Sequence, residues 1–238
     1  MPQDLSVTGV PVLALEAARG GGVRLPRAPL DLMLAEGDFA LIETPGPRRG
    51  GAFADLCMGL VPLLGGSVRF LGRDWGALPP DHADALRGRI GRLFHLPIRA
   101  DTPDVAARVL LGRLHHTRIP EPELRAEAAG LAFRFGLPGL PAGPARLLAG
   151  PDLLRAACVR AFLGRPRLIV LELPLAVQEP DLLGAFLQLG AEARGRGVGV
   201  AWLANPGPAL RDPSFRPTHR LRLTDAGLAA ARPARAAA

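Results

Sequence analysis

The stretch from Phe39 to Leu60, FALIETPGPRRGGAFADLCMGL, holds the residue types best placed for chemistry. Phe39 to Glu43 reads as a buried strand, followed by a Gly/Pro loop and a helix from about Ala52. Strand, glycine-rich loop and helix N-terminus make an anion cradle, because unpaired backbone N–H groups and the helix dipole converge there. A phosphate-binding loop, G-x-x-x-x-G-K-[ST], would put a lysine and a hydroxyl where this chain has Gly50 and Gly51. No lysine occurs at all, and each of the 29 basic residues is arginine. The cradle's architecture is present without its cation.

Around it, short apolar runs alternate with helical segments. Val10 to Leu15 reads as a first strand that ends before the Arg19–Gly22 turn, and Leu30 to Leu34 as a second. The helix after the loop is expected to end near Leu64, with Ser67 to Leu71 as the next strand. Asp81 to Gly88 is expected to be helical, with Asp81 as its cap, and Ile90 to Phe94 a strand. From Pro103 to about Phe135 the pattern is helical, with breaks at Ile119-Pro120 and Gly136. Leu124, Ala128, Leu131 and Phe135 share one apolar face there. A helix over Asp152 to Leu163 leads to Leu168–Leu171 (LIVL), the most apolar run and suited to a central strand covered on both faces. A helix from Pro180 to about Glu192 and strands at Val198–Leu203 and Thr218–Leu223 follow.

Strands alternating with helices predict a three-layer α/β domain with a mostly parallel sheet. It spans residues 1–226, with a strandless helical lobe at about 96–163 inserted into it. The Ala/Arg/Pro-rich tail, 227–238, is expected to fray.

Composition narrows the function classes. With 238 residues, 48% of them hydrophobic, the chain has material for a large core. Its net charge of +7 is scattered, and 5% aromatic residues leave few stacking platforms, so nucleic acid is not the expected partner. Cys57 and Cys158 sit in apolar helical contexts and read as buried thiols of a reducing compartment. Met1 to Val10 lacks the basic start and apolar run of a signal peptide, and no apolar segment approaches about 18 residues. His82, His95, His115 and His116 lack the spacing of a metal site, so no metal is expected. Ser6, Ser67 and Ser214 lack the G-x-S-x-G context of a hydrolase nucleophile.

The order of the later signals adds more. After the loop come Leu93-Phe94-His95, the helical lobe, Leu147-Leu148-Ala149-Gly150-Pro151-Asp152 at a helix start, and RAACVRAFLGRPRLIVLELP from Arg155 to Pro174. Over nearly the whole chain this series resembles the nucleotide-binding subunit of ATP-binding cassette (ABC) transporters. Their parts run phosphate loop, Q-loop, LSGGQ signature, Walker B strand, D-loop and switch histidine. The resemblance implies the P-loop cassette fold, with an N-terminal antiparallel β part. Leu114-His115-His116-Thr117-Arg118-Ile119-Pro120 and Val177-Gln178-Glu179-Pro180 are similar to E-H-T-x-L-P and G-Q-D-P segments of Mla/MCE-type lipid-transport cassettes.

Carried over residue by residue, the resemblance places a vestigial nucleotide site at Thr44, Gly46, Arg48, Arg49, Gly50, Gly51, Ala52, His95 and Glu172. Gly50 stands for the phosphate lysine and Gly51 for the Mg²⁺ hydroxyl. Pro47 and Arg49 stand for loop glycines; if those positions need positive φ, they cost about 1–2 kcal/mol each or force a new loop shape. His95 replaces the Q-loop glutamine, and Ala149 and Gly150 remain of the signature. Glu172 stands for the metal-side aspartate, Leu173 for the general-base glutamate and Asn205 for the switch histidine. No aromatic residue lies between Val10 and Arg27 to stack on adenine.

These departures lead to the expectation of a non-hydrolysing, structural or regulatory cassette subunit, with no bound cofactor and no intact catalytic residue. It would sit on the cytoplasmic face of the membrane against an integral permease, with a second cassette subunit or a second copy as further partners. Two alternatives stand beside this. One is a slow ATPase that binds ATP and Mg²⁺ through Arg48, Arg49 and Glu172; the other is a stand-alone protein-interaction module. Glu172 could hold a metal through water or bond a neighbouring loop. Asp152 and Arg155 are expected to cap and charge a helix start.

Overall fold

The computed structural model of the chain describes residues 11–95, 98–172, 180–207 and 214–231. Leu173 and the segment Val177–Glu179, singled out above, lie outside the described residues.

Two sheets carry the elements. The first contains β1 (Leu13–Gly20), β2 (Leu30–Leu34), β4 (Leu63–Phe70) and β5 (Arg73–Asp74), all antiparallel in the order β2-β1-β4-β5. The second contains β3 (Phe39–Glu43), β6 (Ile90–Leu93), β7 (Leu168–Leu171), β8 (Gly199–Ala204), β9 (His219–Thr224) and β10 (Gly227–Ala230). Its order is β10-β9-β3-β8-β7-β6, and every pairing except β9–β10 is parallel. Helices connect the strands: α1 (Pro47–Cys57), α2 (Pro80–Arg87), α3 (Val105–His116), α4 (Glu121–Arg134), α5 (Gly150–Phe162) and α6 (Pro180–Gly195). Helices α3, α4 and α5 pack on one another, and α5 also packs on β6 and β7.

Burial explains why the apolar runs became strands. All four residues of β7 and all six of β8 are buried, as strands covered on both faces require. One core packs α3 to α6 against the sheet, with rings of Phe135, Phe162, Phe186, Trp202 and Phe215 meeting at centroid distances of 5.3–6.1 Å. The other packs α1 and the antiparallel sheet against the opposite face. The predicted face of α4 is real, with Leu124, Ala128 and Phe135 buried and Leu131 packed beside them.

Several boundaries differ from expectation, each for a local reason. β1 runs on to Gly20 because the register shifts after Leu15. Ala17 there takes φ 46°, and its N–H donates to Asp31 Oδ1 at 2.7 Å. That bulge breaks the alternation which marks a strand in sequence. α1 ends at Cys57, not near Leu64: Gly59 (φ 64°) reverses the chain against Trp75, whose Nε1 donates to Cys57 O at 3.0 Å. Asp81 does not cap α2. Pro79 occupies that position without a side-chain bond, and Asp81 sits in the first turn. The expected frayed tail begins too early at 227, because Gly227–Ala230 pairs with β9 through a tight hairpin opened by Gly227 at φ 109°.

Candidate functional site

The loop after β3 is shorter than the sequence suggests. Thr44 is buried, and its N–H donates to Ala204 O at 2.8 Å, tying the end of β3 to β8. Gly46, at φ 116° and ψ 161°, is the N-cap of α1, and Pro47 is its first residue. Proline at this position has its φ pre-set and lacks only an N–H that the first turn leaves orphaned anyway. Pro47, Arg48 and Arg49 all have negative φ, so the strain considered for non-glycine residues in the loop does not arise. The chain took the other course and changed the loop's shape. The helix expected from Ala52 starts five residues earlier and takes in Arg48, Arg49, Gly50 and Gly51. Its first bond runs from Gly50 N–H to Gly46 O at 3.2 Å, and Gly46 N–H donates to Thr44 O at 2.8 Å. Two of the cradle's amides are therefore occupied within the backbone.

Five of the predicted residues meet. Thr44, Gly50, His95, Glu172 and Asn205 line one cleft at the carboxyl ends of β3, β6, β7 and β8, where open α/β sheets bind ligands. The space between them is about 10 Å³, room for about one water. A Cβ on Gly50 would stand 3.2 Å from Thr44 Oγ1, and one on Gly51 would stand 3.1 Å from Glu172 Oε2.

The remaining candidates lie apart. Arg48 is exposed on the first turn of α1. Arg49 pairs with Asp225 in the β9–β10 turn at 2.6 Å. Ala52 packs at the edge of the α1 core. Ala149 is the N-cap of α5 without a side-chain bond, and Gly150 is exposed on the first turn; neither lines the cleft. Asp152 lies in the first turn, so the expected cap is corrected to Ala149, while Arg155 Nη1 donates to Phe135 O at 2.8 Å.

Glu172 does not stand alone, and the residue that meets it was not foreseen. Arg92, on β6, is 8% exposed, and its Nε donates to Glu172 Oε1 at 2.6 Å. Nη1 donates to Asp55 Oδ1 on α1 at 2.6 Å, and Nη2 to Gly51 O at 3.4 Å. The guanidinium carbon lies 4.3 Å from the Phe94 ring centroid. Parallel pairing of β6 with β7, and Glu172 N–H donating to Leu93 O at 2.9 Å, bring the two side chains together. The available signal was a lone charge inside the apolar run Ile90–Phe94, a position where charges are rarely found unless paired.

A mostly parallel sheet with a helix entered through this turn, beside an antiparallel sheet and a helical lobe, defines the class: a P-loop nucleoside-triphosphatase fold of cassette type. The ATP-binding subunit of an ABC transporter superposes with a TM-score of 0.75 over 92% of this chain and 90% of that one, at 16% identity. The dimeric cassette MJ0796 gives 0.71 over 91% and 96%, at 18% identity. In sequence, the lipoprotein-releasing system ATP-binding protein LolD of Nitratidesulfovibrio vulgaris is 30% identical over 170 residues, 66% of this chain and 69% of that protein. The phosphonates import ATP-binding protein PhnC of Hyphomonas neptunium is 30% identical over 210 residues, 82% and 78%. The chain belongs to the ATP-binding cassette subunits of ABC transporters. It spans about half the length of other relatives, such as 48% of the Fe(3+) ions import protein FbpC of Streptomyces coelicolor. No family model matches it.

Proposed function

We propose that this chain is a non-hydrolysing cassette subunit that supports a membrane permease structurally or regulates it. The observation that carries this is the bond of 2.6 Å between Arg92 and Glu172 beside Gly50 and Gly51, which offer no lysine and no hydroxyl. A triphosphate with its metal needs a lysine on the β- and γ-phosphates and a hydroxyl and carboxylate on Mg²⁺. The first two are replaced by glycines whose Cβ positions are crowded, and the third is already bonded to Arg92. These residues do not fit Mg·ATP. Losing several charge-assisted bonds, at about 1.5–3 kcal/mol each, raises a dissociation constant by orders of magnitude.

The permease side is supported by exposed apolar residues of the helical lobe. Leu111 and Leu114 lie on α3, Ile119 follows it, and Phe94 stands at the end of β6, all open to solvent. Lipids are the proposed cargo class, resting on the Leu114–Pro120 segment and its likeness to lipid-transport cassettes. The similarity to a lipoprotein-releasing relative agrees with a lipid-bearing cargo. The chain would then work on the cytoplasmic face of the membrane, beside a second cassette subunit or a copy of itself.

Calorimetry of the purified chain with Mg·ATP tests the reading. No heat of binding up to millimolar nucleotide, and no phosphate release, are expected. Micromolar binding overturns it in favour of the slow ATPase. Co-purification with a permease encoded nearby separates a transporter subunit from a stand-alone interaction module.

A further inference from the structure

Among the described residues, three charged side chains are buried: Arg92, Arg113 and Glu172. Two of the three are bonded to each other beside the candidate cleft, which Glu172 lines and Arg92 backs. Arg92 bonds α1 through Asp55 and Gly51 O, and the end of β7 through Glu172. One guanidinium thus joins the helix after the phosphate loop to the two strands beside it. In a working P-loop enzyme that junction is bridged by the bound ligand, because metal and lysine sit between the loop and the acidic strand end.

We propose that Arg92 is a tethered counter-ion that takes the charge role of the absent metal and lysine and clamps α1 to the end of β7 without a ligand. This rests on the reading of the chain as a non-hydrolysing cassette and adds what holds its loop and acidic strand end together. The chemistry suits the role. A guanidinium is always charged, offers a planar fork and is weakly hydrated, so it sits between two carboxylates at lower desolvation cost than an ammonium. Its contact with the Phe94 ring adds a cation–π attraction. Asp55 is 40% exposed, so water shares in screening the second carboxylate. Gly51 belongs to the same device. With no side chain there, its carbonyl can approach Arg92 Nη2 while its Cα lies under Glu172.

The test uses the full chain and two probes, MgCl₂ and MnCl₂, without nucleotide. Wild type is expected to show no change in Tm with either ion. Arg92→Met leaves Glu172 buried and unpaired, and is expected to lower Tm by about 6–20 °C. The same variant should gain about 3–6 °C when a divalent ion is present at ten times its dissociation constant. Adding Glu172→Gln should abolish that gain. An Arg92→Met chain that responds to the ions no more than wild type overturns the inference.

Should that variant not fold, NMR of wild type decides the matter through hydrogen exchange at the Arg92 Nε–H. Slow exchange that stays unchanged with Mg·ATP is expected; fast exchange overturns the inference. Failure here is distinct from failure of the proposed function. Fast exchange in a chain that binds no ATP removes only the tether, whereas micromolar ATP binding removes the non-hydrolysing reading whatever Arg92 does.

Discussion

Gly51 and Glu172 are so close that a Cβ on the glycine would lie 3.1 Å from the Oε2 of the glutamate. The resemblance puts at Gly51 the hydroxyl that holds a cassette's metal. The contact makes the missing side chain part of how the cleft is packed, since Arg92 bonds both Gly51 O and Glu172.

Restoring the motif should therefore fail. Gly50→Lys with Gly51→Ser sets one Cβ 3.2 Å from Thr44 Oγ1 and the other 3.1 Å from Glu172 Oε2. Each requires a neighbour to shift, and an overpacked core site costs about 1–3 kcal/mol. Differential scanning fluorimetry should find a Tm lowered by several degrees. Phosphate release in saturating Mg·ATP should stay at background, because Arg92 already holds Glu172 Oε1. Turnover above a Glu172→Gln control would contradict this account.

Gly91 should be the least replaceable residue of β6. A Cβ there would lie 1.8 Å from Ala161 O and 2.9 Å from Ala161 C on α5, and backbone cannot swing aside as a side-chain tip can. Gly91→Ala must push the helical lobe off the sheet, at a cost on the order of 4 kcal/mol or more. Insoluble expression, or a Tm lower by more than about 10 °C, is the expected result. Gly112→Ala on α3, whose Cβ would meet nothing within 4 Å, serves as the control and should raise helix stability slightly.

What the sequence made legible follows from the range of the forces involved. Strands β3, β7 and β8 are readable because burial on both faces leaves continuous apolar runs, and α4 because its face repeats at helical spacing. Thr44, Gly50, His95, Glu172 and Asn205 could be brought to one cleft by motif order alone. The start of α1 was misjudged because two rules competed over Gly46-Pro47. Glycine and proline usually mark a loop, yet here they form an N-cap with positive φ and a first helical turn. Arg92 was missed because its meaning depends on residues 37 and 80 positions away, which no local pattern contains. The hairpin at β10 was hidden by composition: alanine-rich sequence suggests a tail, and only the pairing of Gly227 with Thr224 makes it a strand.

Arg49 offers a direct check on the slow-ATPase alternative. Its guanidinium is held by Asp225, which is 89% exposed, rather than by the cleft. Such a surface pair contributes about 0.2–1 kcal/mol. Arg49→Ala is expected to shift Tm by no more than a few degrees and to leave permease-coupled transport unchanged in the assembled complex. A loss of transport greater than for Arg125→Ala, an exposed arginine in an ion pair with Glu121, would return Arg49 to the site.

Alkaline stability should be governed by the two cysteines. Burial pushes the Cys57 thiol up from its ordinary 9.0 to about 12, and the Arg92 charge offsets this only in part. Burial raises the Cys158 thiol too, against Arg155 and Arg160 nearby. Both folded values lie above the unfolded one, so the folded state holds its thiol protons longer. Stability is fully present below pH 9 and falls as the pH rises toward 12, by about 1.4 kcal/mol per thiol for each unit. The chain has no lysine and no tyrosine, the side chains that ordinarily titrate in this window. Urea midpoints at pH 8 and pH 10.5 for wild type and for Cys57→Ala/Cys158→Ala test this. Wild type should lose stability across that interval, while the double variant, less stable at pH 8 for want of packing, should hold. Parallel losses in both proteins would mean that the thiols are accessible to solvent, contrary to the packed cores on either side of the sheet.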